Sequence, residues 1–202
     1  MNRITSPERI PMTGVILSGG ECRRMGFNKA LIKINGERLI DRTVRIFKNL
    51  FPEVILITNE SIAFLDLDVK IASDIILGKG PLGGIFTGLF YATHTHAFVS
   101  AYDMPFTNPD LISHMVACTA NYDIVVPLTP EGFQPLHAIY ARACKSEVRR
   151  LINKDLLKIN SLYKDLHTRI LEPDEVSNYN TEGKVFFNIN TRQDITEMGI
   201  LI

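Results

Sequence analysis

The chain has 202 residues, of which 46% are hydrophobic and 22% are charged, and its formal net charge is zero. These proportions are close to globular averages, so we predict a folded chain with one large core. Lys and Arg residues are scattered rather than clustered, which argues against a surface built for nucleic acid.

The start of the chain and its cysteines bear on where the protein works. Residues 1–13 are polar and contain no apolar segment of the kind that a signal peptide needs. We predict a flexible leader there, followed by a single domain over residues 14–202. No apolar run approaches the length of a membrane span.

Cys22, Cys118 and Cys144 are an odd, widely spaced set without a CxxC pair, which fits a reducing compartment. We therefore expect a cytoplasmic protein without a membrane partner.

Short apolar runs alternate with helical stripes along the first half of the chain. An apolar run at 14–18 stops at the Gly19-Gly20 pair, which predicts a buried strand. A helix is predicted over 37–50, because its apolar residues lie largely on one face and Pro52 follows it. Residues 78–84, with the sequence GKGPLGG, are predicted to be a flexible loop. Further expected elements are strands at 54–57, 69–72 and 97–101 and a helix at 85–93.

The second half of the chain continues with elements of both kinds. Strands are expected at 124–127, 138–141 and 186–189, and a helix at 146–153. The repeated order of strand, glycine turn, helix and strand predicts an α/β fold of the doubly wound class. Such a fold has a mostly parallel sheet with helices on both faces.

In open parallel sheets, ligands bind beyond the carboxyl ends of the strands. The segment after the first predicted strand, Leu17 to Lys29, combines paired glycines with Arg23, Arg24 and Lys29. Paired glycines let backbone N–H groups approach an anion, and the cations supply charge, so the segment suits a triphosphate. It matches neither of the two commonest phosphate loops, and a surface turn with three solvated cations is the alternative.

Acidic and amide residues follow three other predicted elements. Asp103 comes directly after the strand at 97–101, where a carboxylate can hold Mg²⁺ that bridges phosphate oxygens; capping of a turn is the alternative. Asp74 precedes the glycine loop and could accept a hydrogen bond from a base or ribose, although aspartate is also an ordinary turn residue. Asn188 and Asn190 alternate along the last predicted strand, ahead of a possible helix cap at Thr191.

None of the five histidines is assigned to the chemistry. His94 and His96 are expected to be solvated. His114, His137 and His167 are expected to lack a cysteine or carboxylate partner at metal-ligand spacing. For His137 we expect a hydrogen-bonded structural position rather than contact with a substrate.

Together these segments resemble the molybdenum cofactor guanylyltransferases, the MobA family, within the Rossmann-like nucleotidyltransferases. The likeness extends from about residue 14 to residue 198. The opening motif of that family appears as Leu17-Ser18-Gly19-Gly20, Arg24-Met25-Gly26 and Lys29, with Ser18 in place of the usual alanine. Further matches are Asp74 ahead of Gly80-Pro81-Leu82-Gly83-Gly84-Ile85, Asp103-Met104-Pro105, Gln134-Pro135-Leu136 and Asn188-Ile189-Asn190-Thr191. The best-known relative has an asparagine nucleotide contact at the place of Ile57, whereas this chain has Asn59 two residues later.

The resemblance implies a reaction and roles for individual residues. GMP would pass from GTP to the phosphate of molybdenum-molybdopterin, giving the guanine dinucleotide cofactor and pyrophosphate. Asp103 would bind Mg²⁺, and Lys29 and Arg24 would be the catalytic cations beside it. The implied nucleotide-binding residues are Leu17, Ser18, Gly19, Gly20, Lys29, Asn59, Asp74, Asp103 and Asn190. Proteins for cofactor insertion or molybdoenzymes would be transient partners.

Other functions fit the same residues. A cytidylyltransferase on the same pterin, or a nucleotidyltransferase acting on a sugar or polyol phosphate, would need only different loop contacts. A pterin carrier or a nucleotide-binding regulator would keep the fold without this turnover. The presence of Lys29 and Asp103 counts against a regulator that has lost turnover.

Overall fold

The computed structural model describes residues 9–19, 32–34, 36–189 and 194. In chain order the strands are β1 (Thr13–Leu17), β2 (Lys33–Ile34), β3 (Glu37–Arg38), β4 (Glu53–Ile57), β5 (Lys70–Ala72), β6 (His96–Ala101), β7 (Ile124–Thr129), β8 (Gly132–Phe133), β9 (His137–Ala141) and β10 (Thr168–Leu171). The α-helices are α1 (Leu39–Leu50), α2 (Gly80–Tyr91), α3 (Pro109–Ala117), α4 (Lys145–Asn153) and α5 (Pro173–Ser177). None of these described helices combines the length and the apolar character required to cross a membrane.

Eight of the described strands form one mixed sheet. Its main path runs β10-β7-β9-β6-β1-β4-β5, and β8 pairs with β7. β1 lies between β4 and β6 and is parallel to both, with Val15 aligned with Ile55 and with Val99. β9 is antiparallel to its neighbours β6 and β7, whereas β4 with β5 and β7 with β10 are parallel pairs. The predicted mostly parallel sheet is therefore confirmed, with β9 as an antiparallel insertion.

The helices cover both faces of this sheet. Alternate residues of a strand point to opposite faces, so Ile16 and Val15 of β1 enter different cores. Ile16 packs in the core formed with α1, α3 and α5, which includes Phe47. Val15 packs in the core formed with α2 and α4, which includes Ile85. This arrangement confirms the doubly wound class.

Three predicted elements differ from the structure. The predicted helix at 37–50 begins later, because residues 37–38 form β3 and pair with β2 across a turn at Gly36. The segment 78–84 is not all loop, because α2 begins at Gly80. Pro81 lies in the first turn of the helix, where a backbone N–H would have no acceptor within the helix and its absence in proline costs nothing. Residues 186–189 form a turn and irregular backbone instead of a strand.

His137 on β9 is buried between two phenyl rings. The rings of Phe98 and Phe186 lie edge-on to it, with centroids 5.0 Å and 5.2 Å away. Burial lowers the pKa of His137 to about 3, so the ring is neutral near pH 7. The expected structural position is confirmed. The expected hydrogen bonds are not, because in the described part of the chain neither ring nitrogen has a partner.

A glycine allows α2 to approach β1 closely. A Cβ placed on Gly88 would lie 2.6 Å from Cγ1 of Val15, closer than two carbon atoms can pack. Both residues are fully inside the core. The helix axis therefore sits at a distance from the sheet that only glycine permits at this position.

Gly88→Ala is expected to lower the free energy of unfolding by about 1–3 kcal/mol, the usual cost of overpacking a core. The better helix propensity of alanine offsets this by at most about 1 kcal/mol. Urea denaturation of the variant beside the unaltered chain measures the difference. The double variant Val15→Ala with Gly88→Ala should recover part of the loss beyond additivity, because the clashing methyl groups are gone. A stabilised Gly88→Ala protein would contradict the close approach.

Candidate active site

The carboxyl ends of four parallel strands meet at one edge of the sheet. Backbone hydrogen bonds continue there beyond the strands: Ser18 N–H donates to Ile57 C=O at 2.8 Å, and Tyr102 N–H donates to Leu17 C=O at 3.2 Å. Thr58 N–H donates to the carbonyl of Ala72 at 2.9 Å. The residues that follow β1, β4, β5 and β6 therefore lie side by side, at the edge where parallel sheets bind ligands.

The end of β1 opens from the core toward solvent. Leu17 is buried and packs under α2, where a Cβ on Gly84 would lie 3.1 Å from its side chain. Ser18 is half-buried and Gly19 is exposed, and among the described residues no atom lies within 4 Å of a Cβ built on Gly19. The described part of the chain therefore leaves the Gly19 backbone uncovered. Of the predicted site residues in this segment, Gly20, Arg24 and Lys29 lie outside the described residues.

Asn59 and Asp74 form a reciprocal pair beyond β4 and β5. The side-chain amide of Asn59 donates to Asp74 Oδ2 at 2.9 Å, and the Asp74 backbone N–H donates to Asn59 Oδ1 at 3.0 Å. The other carboxylate oxygen, Asp74 Oδ1, is buried and has no hydrogen-bond partner within the described ranges. A buried acceptor without a donor is costly. The pair therefore holds one carboxylate oxygen and leaves the second for a donor that a ligand can supply.

Sequence reasoning missed one residue that supports this pair. Thr87 of α2 accepts a hydrogen bond from the backbone N–H of Ile75 at 3.0 Å, and its hydroxyl donates to the Gly83 carbonyl at 2.9 Å. These bonds tie the backbone that follows Asp74 to the first turn of α2. Thr87 is buried in a helix, so its sequence context offers no signal for this function.

Asp103 lies directly after β6 and is half-buried. Its backbone carbonyl accepts a hydrogen bond from Ile189 N–H at 3.0 Å, which brings the segment containing Asn188 beside it. The neighbouring carbonyls are anchored on α1: Thr43 Oγ1 donates to Tyr102 C=O at 3.0 Å, and Arg42 Nε donates to Pro105 C=O at 2.9 Å. The loop that carries Asp103 is thereby supported from two sides. Asn190, the next predicted site residue, lies outside the described residues.

The donor set at this edge suits a hard cation. Asp103 carries a carboxylate, and oxygen atoms are the ligands that Mg²⁺ prefers. Mg²⁺ also keeps water and substrate phosphate oxygens in its shell, so a single protein carboxylate is compatible with it.

Lys79 lies in the GKGPLGG segment that follows Asp74. Its Nζ lies 2.9 Å from Asp155 Oδ1, in an ion pair on the surface. In this structure the pair joins the start of α2 to the residues after α4.

The larger cavity lies away from this edge. It has a volume of about 830 Å³ and includes His96 at the start of β6 and Asp123 just before β7. A smaller cavity of about 350 Å³ lies beside the Asp103 loop, between Arg42, Phe106 and Tyr179. Because ligands of parallel sheets bind at the carboxyl ends of strands, we place the site at the edge with Asp74 and Asp103.

The expectation that His114 lacks a cysteine or carboxylate partner is wrong. Its Nε2 lies 2.7 Å from Glu175 Oε1 and 4.0 Å from Cys118 Sγ. Burial alone would raise the pKa of Glu175, but hydrogen bonds from His114 and Arg169 bring it below its usual range. The His-x-x-x-Cys spacing was visible in the sequence; the carboxylate comes from a distant helix. His94 is half-buried rather than solvated, with Nδ1 3.1 Å from Thr13 Oγ1.

Comparisons with known proteins point to the same family as the sequence motifs. A family model described as the MobA-like NTP transferase domain matches residues 14–169. A probable molybdenum cofactor guanylyltransferase of Peptoclostridium acidaminophilum is 34% identical over 192 residues, covering 92% of this chain and 87% of that protein. The molybdenum cofactor guanylyltransferase of Desulfosudis oleivorans is 32% identical over 186 residues, with 91% and 92% covered. The crystal structure of molybdopterin-guanine dinucleotide biosynthesis protein A from Archaeoglobus fulgidus shares the fold, with a TM-score of 0.79, 24% identity and coverage of 92% and 96%.

The sheet order, the strand-end site and these comparisons define a nucleotidyltransferase, an enzyme class that moves a nucleoside monophosphate from its triphosphate. The match over residues 14–169 and the relatives above 30% identity are more specific. This chain belongs to the MobA-like NTP transferase family, with the molybdenum cofactor guanylyltransferases. The resemblance found in the sequence motifs is confirmed.

Proposed function

We propose that the protein transfers GMP from GTP to the phosphate of molybdenum-molybdopterin, with release of pyrophosphate. The relatives that cover nine-tenths of the chain carry the name of this activity. The observation that carries the choice of base is the Asn59–Asp74 pair with its unpartnered carboxylate oxygen. Guanine presents two adjacent N–H donors, at N1 and N2, to the free oxygen of Asp74, whereas cytosine presents its N4 amino donor beside the N3 acceptor, which a carboxylate oxygen repels.

The transfer reaction brings two anions together, the phosphate of the pterin and the α-phosphate of GTP. The attacking phosphate oxygen of the pterin is already anionic near neutral pH, so the site needs little general-base help. It must reduce the repulsion between that oxygen and the α-phosphate, and fixed charges at the site do this. The new bond forms between the pterin phosphate oxygen and the α-phosphorus, and the bond to pyrophosphate breaks.

Each residue of the strand-end edge then has a role. Lys29 and Arg24 neutralise the triphosphate, and the backbone amides of Gly19 and Gly20 contact its oxygens. Asp74, held by Asn59, binds the nucleoside. Asp103 holds a divalent metal ion, for which we propose Mg²⁺, and Asn190 is a further candidate to contact the metal or the acceptor. The ion would supply positive charge for the phosphate oxygens.

The first test is pyrophosphate release from GTP, CTP, ATP and UTP in turn, with Mg²⁺ and molybdenum-loaded pterin. Pterin-dependent release with GTP alone is the expected result. Release with CTP alone would replace the proposal by the cytidylyltransferase alternative, and release with a sugar or polyol phosphate as acceptor would change the substrate class. A folded protein that binds the pterin and is silent with all four nucleotides would be a carrier or a regulator.

Asp74→Asn is expected to raise the KM for GTP about 10- to 100-fold, the usual loss for one hydrogen bond to a charged group. The remaining oxygen would still accept from Asn59, so the new NH₂ group would face the donors of guanine. Steady-state kinetics with GTP measure this effect, and kcat should change less than KM. Asp68→Asn is the matched control, because Asp68 is exposed and pairs only with Lys48 among the described contacts. Equal KM values for the two variants would remove Asp74 from the nucleoside site.

The setting of the reaction is also part of the proposal. Cys118 and Cys144 are free thiols, which suits the reducing cytoplasm. The dinucleotide product must reach a molybdoenzyme, so we propose transient contact with such an enzyme or with an insertion protein.

A further inference from the structure

Three side chains with different ligand atoms meet on the surface between α3 and α5. His114 lies in α3 and Cys118 is the residue that follows the helix in helical conformation, so the four-residue spacing puts both on one side. Glu175 of α5 completes the group. The three potential ligand atoms all lie within 4.8 Å of one another, and each residue is half-buried. The active-site edge does not use any of them.

The mixture of ligand types points to a borderline-soft cation. Imidazole, thiolate and carboxylate together are the ligand set of Zn²⁺, whereas Mg²⁺ and Ca²⁺ take oxygen ligands alone. Three protein ligands leave one tetrahedral position for water. The distances of 2.7 Å from His114 to Glu175 and 4.0 Å from His114 to Cys118 lie on either side of the roughly 3.3–3.6 Å ligand separations that a tetrahedral Zn²⁺ shell requires, so small side-chain shifts would reach them.

The neighbours of the group set limits on its affinity. Arg169 Nη2 lies 2.9 Å and 2.8 Å from the two oxygens of Glu175, so this carboxylate is already neutralised in the metal-free protein. A metal ion must replace the His114–Glu175 hydrogen bond and tolerate the guanidinium nearby. The Tyr179 ring stacks on His114 with centroids 5.1 Å apart, which restricts the orientation of the imidazole. The site is therefore preorganised but opposed by one positive charge.

We propose that His114, Cys118 and Glu175 form a Zn²⁺ site that joins α3 to α5. Binding displaces the thiol proton of Cys118 and leaves the metal with one open position. The site would strengthen an existing attachment, since Asn108 at the start of α3 donates to the Tyr179 carbonyl at 2.8 Å. The chain then runs from Tyr179 to Ile189, whose N–H donates to Asp103. A metal here would thus hold the first part of the segment that ends beside the active site.

Co²⁺ titration of the full chain tests the site, because a cobalt–thiolate bond gives an intense charge-transfer band in the near ultraviolet. The protein is first dialysed against EDTA and kept reduced with a phosphine. We expect one equivalent of Co²⁺ to produce the band and one equivalent of Zn²⁺ to abolish it. Cys118→Ser should remove the band, while Cys144→Ser and Cys22→Ser should keep it. His114→Ala should weaken binding by more than the roughly 10- to 100-fold that changes outside the ligand shell cost.

The variant Arg169→Gln tests whether the guanidinium beside Glu175 opposes metal binding at this site. Removing the guanidinium frees Glu175 and removes the opposing charge, so Zn²⁺ should bind more tightly than in the unaltered protein. Zn²⁺ should also raise the melting temperature of the unaltered protein and not that of Cys118→Ser. A band that survives Cys118→Ser, or the absence of a stoichiometric band in the unaltered protein, would overturn the proposal. Neither readout depends on guanylyl transfer.

Discussion

Asp103→Asn is expected to reduce kcat for pyrophosphate release on the order of 10³-fold, with the fold unchanged. The substitution replaces a carboxylate by a neutral amide of the same shape, so a divalent cation loses its charged protein ligand. The loop should keep its position, because its backbone carbonyls accept hydrogen bonds from Ile189 N–H and from the side chains of Thr43 and Arg42. Single-turnover assays over a range of Mg²⁺ concentrations measure both the rate and the apparent metal affinity.

Asp110→Asn is the matched control for this experiment. Asp110 is an exposed aspartate in the first turn of α3, where loss of charge should leave the rate of transfer unchanged. Circular dichroism and thermal melting of both variants check the fold. Full activity of Asp103→Asn at low Mg²⁺ would show that the metal is held elsewhere.

Lys29→Ala is expected to lower kcat/KM for GTP on the order of 10²–10³-fold, which corresponds to a few kcal/mol of transition-state stabilisation. The carbonyl of Leu17, at the end of β1, accepts a hydrogen bond from Tyr102 N–H, so the end of β1 lies next to the Asp103 loop. Lys29 follows β1 in the sequence and is the triphosphate cation of the proposed mechanism. In that mechanism its charge offsets negative charge on the triphosphate as pyrophosphate leaves. Steady-state kinetics with GTP, at saturating pterin, measure the loss.

Two further substitutions serve as controls for Lys29→Ala. Lys33→Ala removes an exposed lysine of β2 only four residues away and should leave kcat/KM unaltered. Lys29→Arg keeps the charge but replaces a compact ammonium by a planar fork, so it should restore part of the activity. If Lys33→Ala were as damaging as Lys29→Ala, the effect would be one of general surface charge.

Most strands of the sheet were predictable because their signal is local. The apolar runs at β1, β4 and β6 are short, and each lies within a residue or two of its predicted place. Those at β1 and β4 are also rich in β-branched residues and are followed by polar or glycine residues. The short strand β10 and the helices α3 and α5 were not predicted. The apolar faces of α3 and α5 become recognisable only when packed against the sheet, where Leu111 and Val176 enter the core.

The start of α2 illustrates a limit of residue preferences. Four glycines and a proline in GKGPLGG favour a loop by propensity, yet the helix begins at Gly80. Gly84 and Gly88 are tolerated because they let the helix approach β1, and the packing gained there outweighs the poor propensity. Tertiary contact thus overrode the local preference.

The sequence by itself determined the class of the protein, the positions of the main strands and the ordered motifs that contain Lys29, Asp74 and Asp103. Only the tertiary structure showed that Asn59 binds Asp74, that β9 runs antiparallel between β6 and β7, and that Glu175 meets His114 and Cys118. The physical reason is how far apart the interacting residues lie along the sequence. Periodicity and turn chemistry are set by neighbours along the chain, whereas Asn59 and Asp74 are 15 residues apart and His114 and Glu175 are 61 apart. Such partners meet only through the packing of strands and helices.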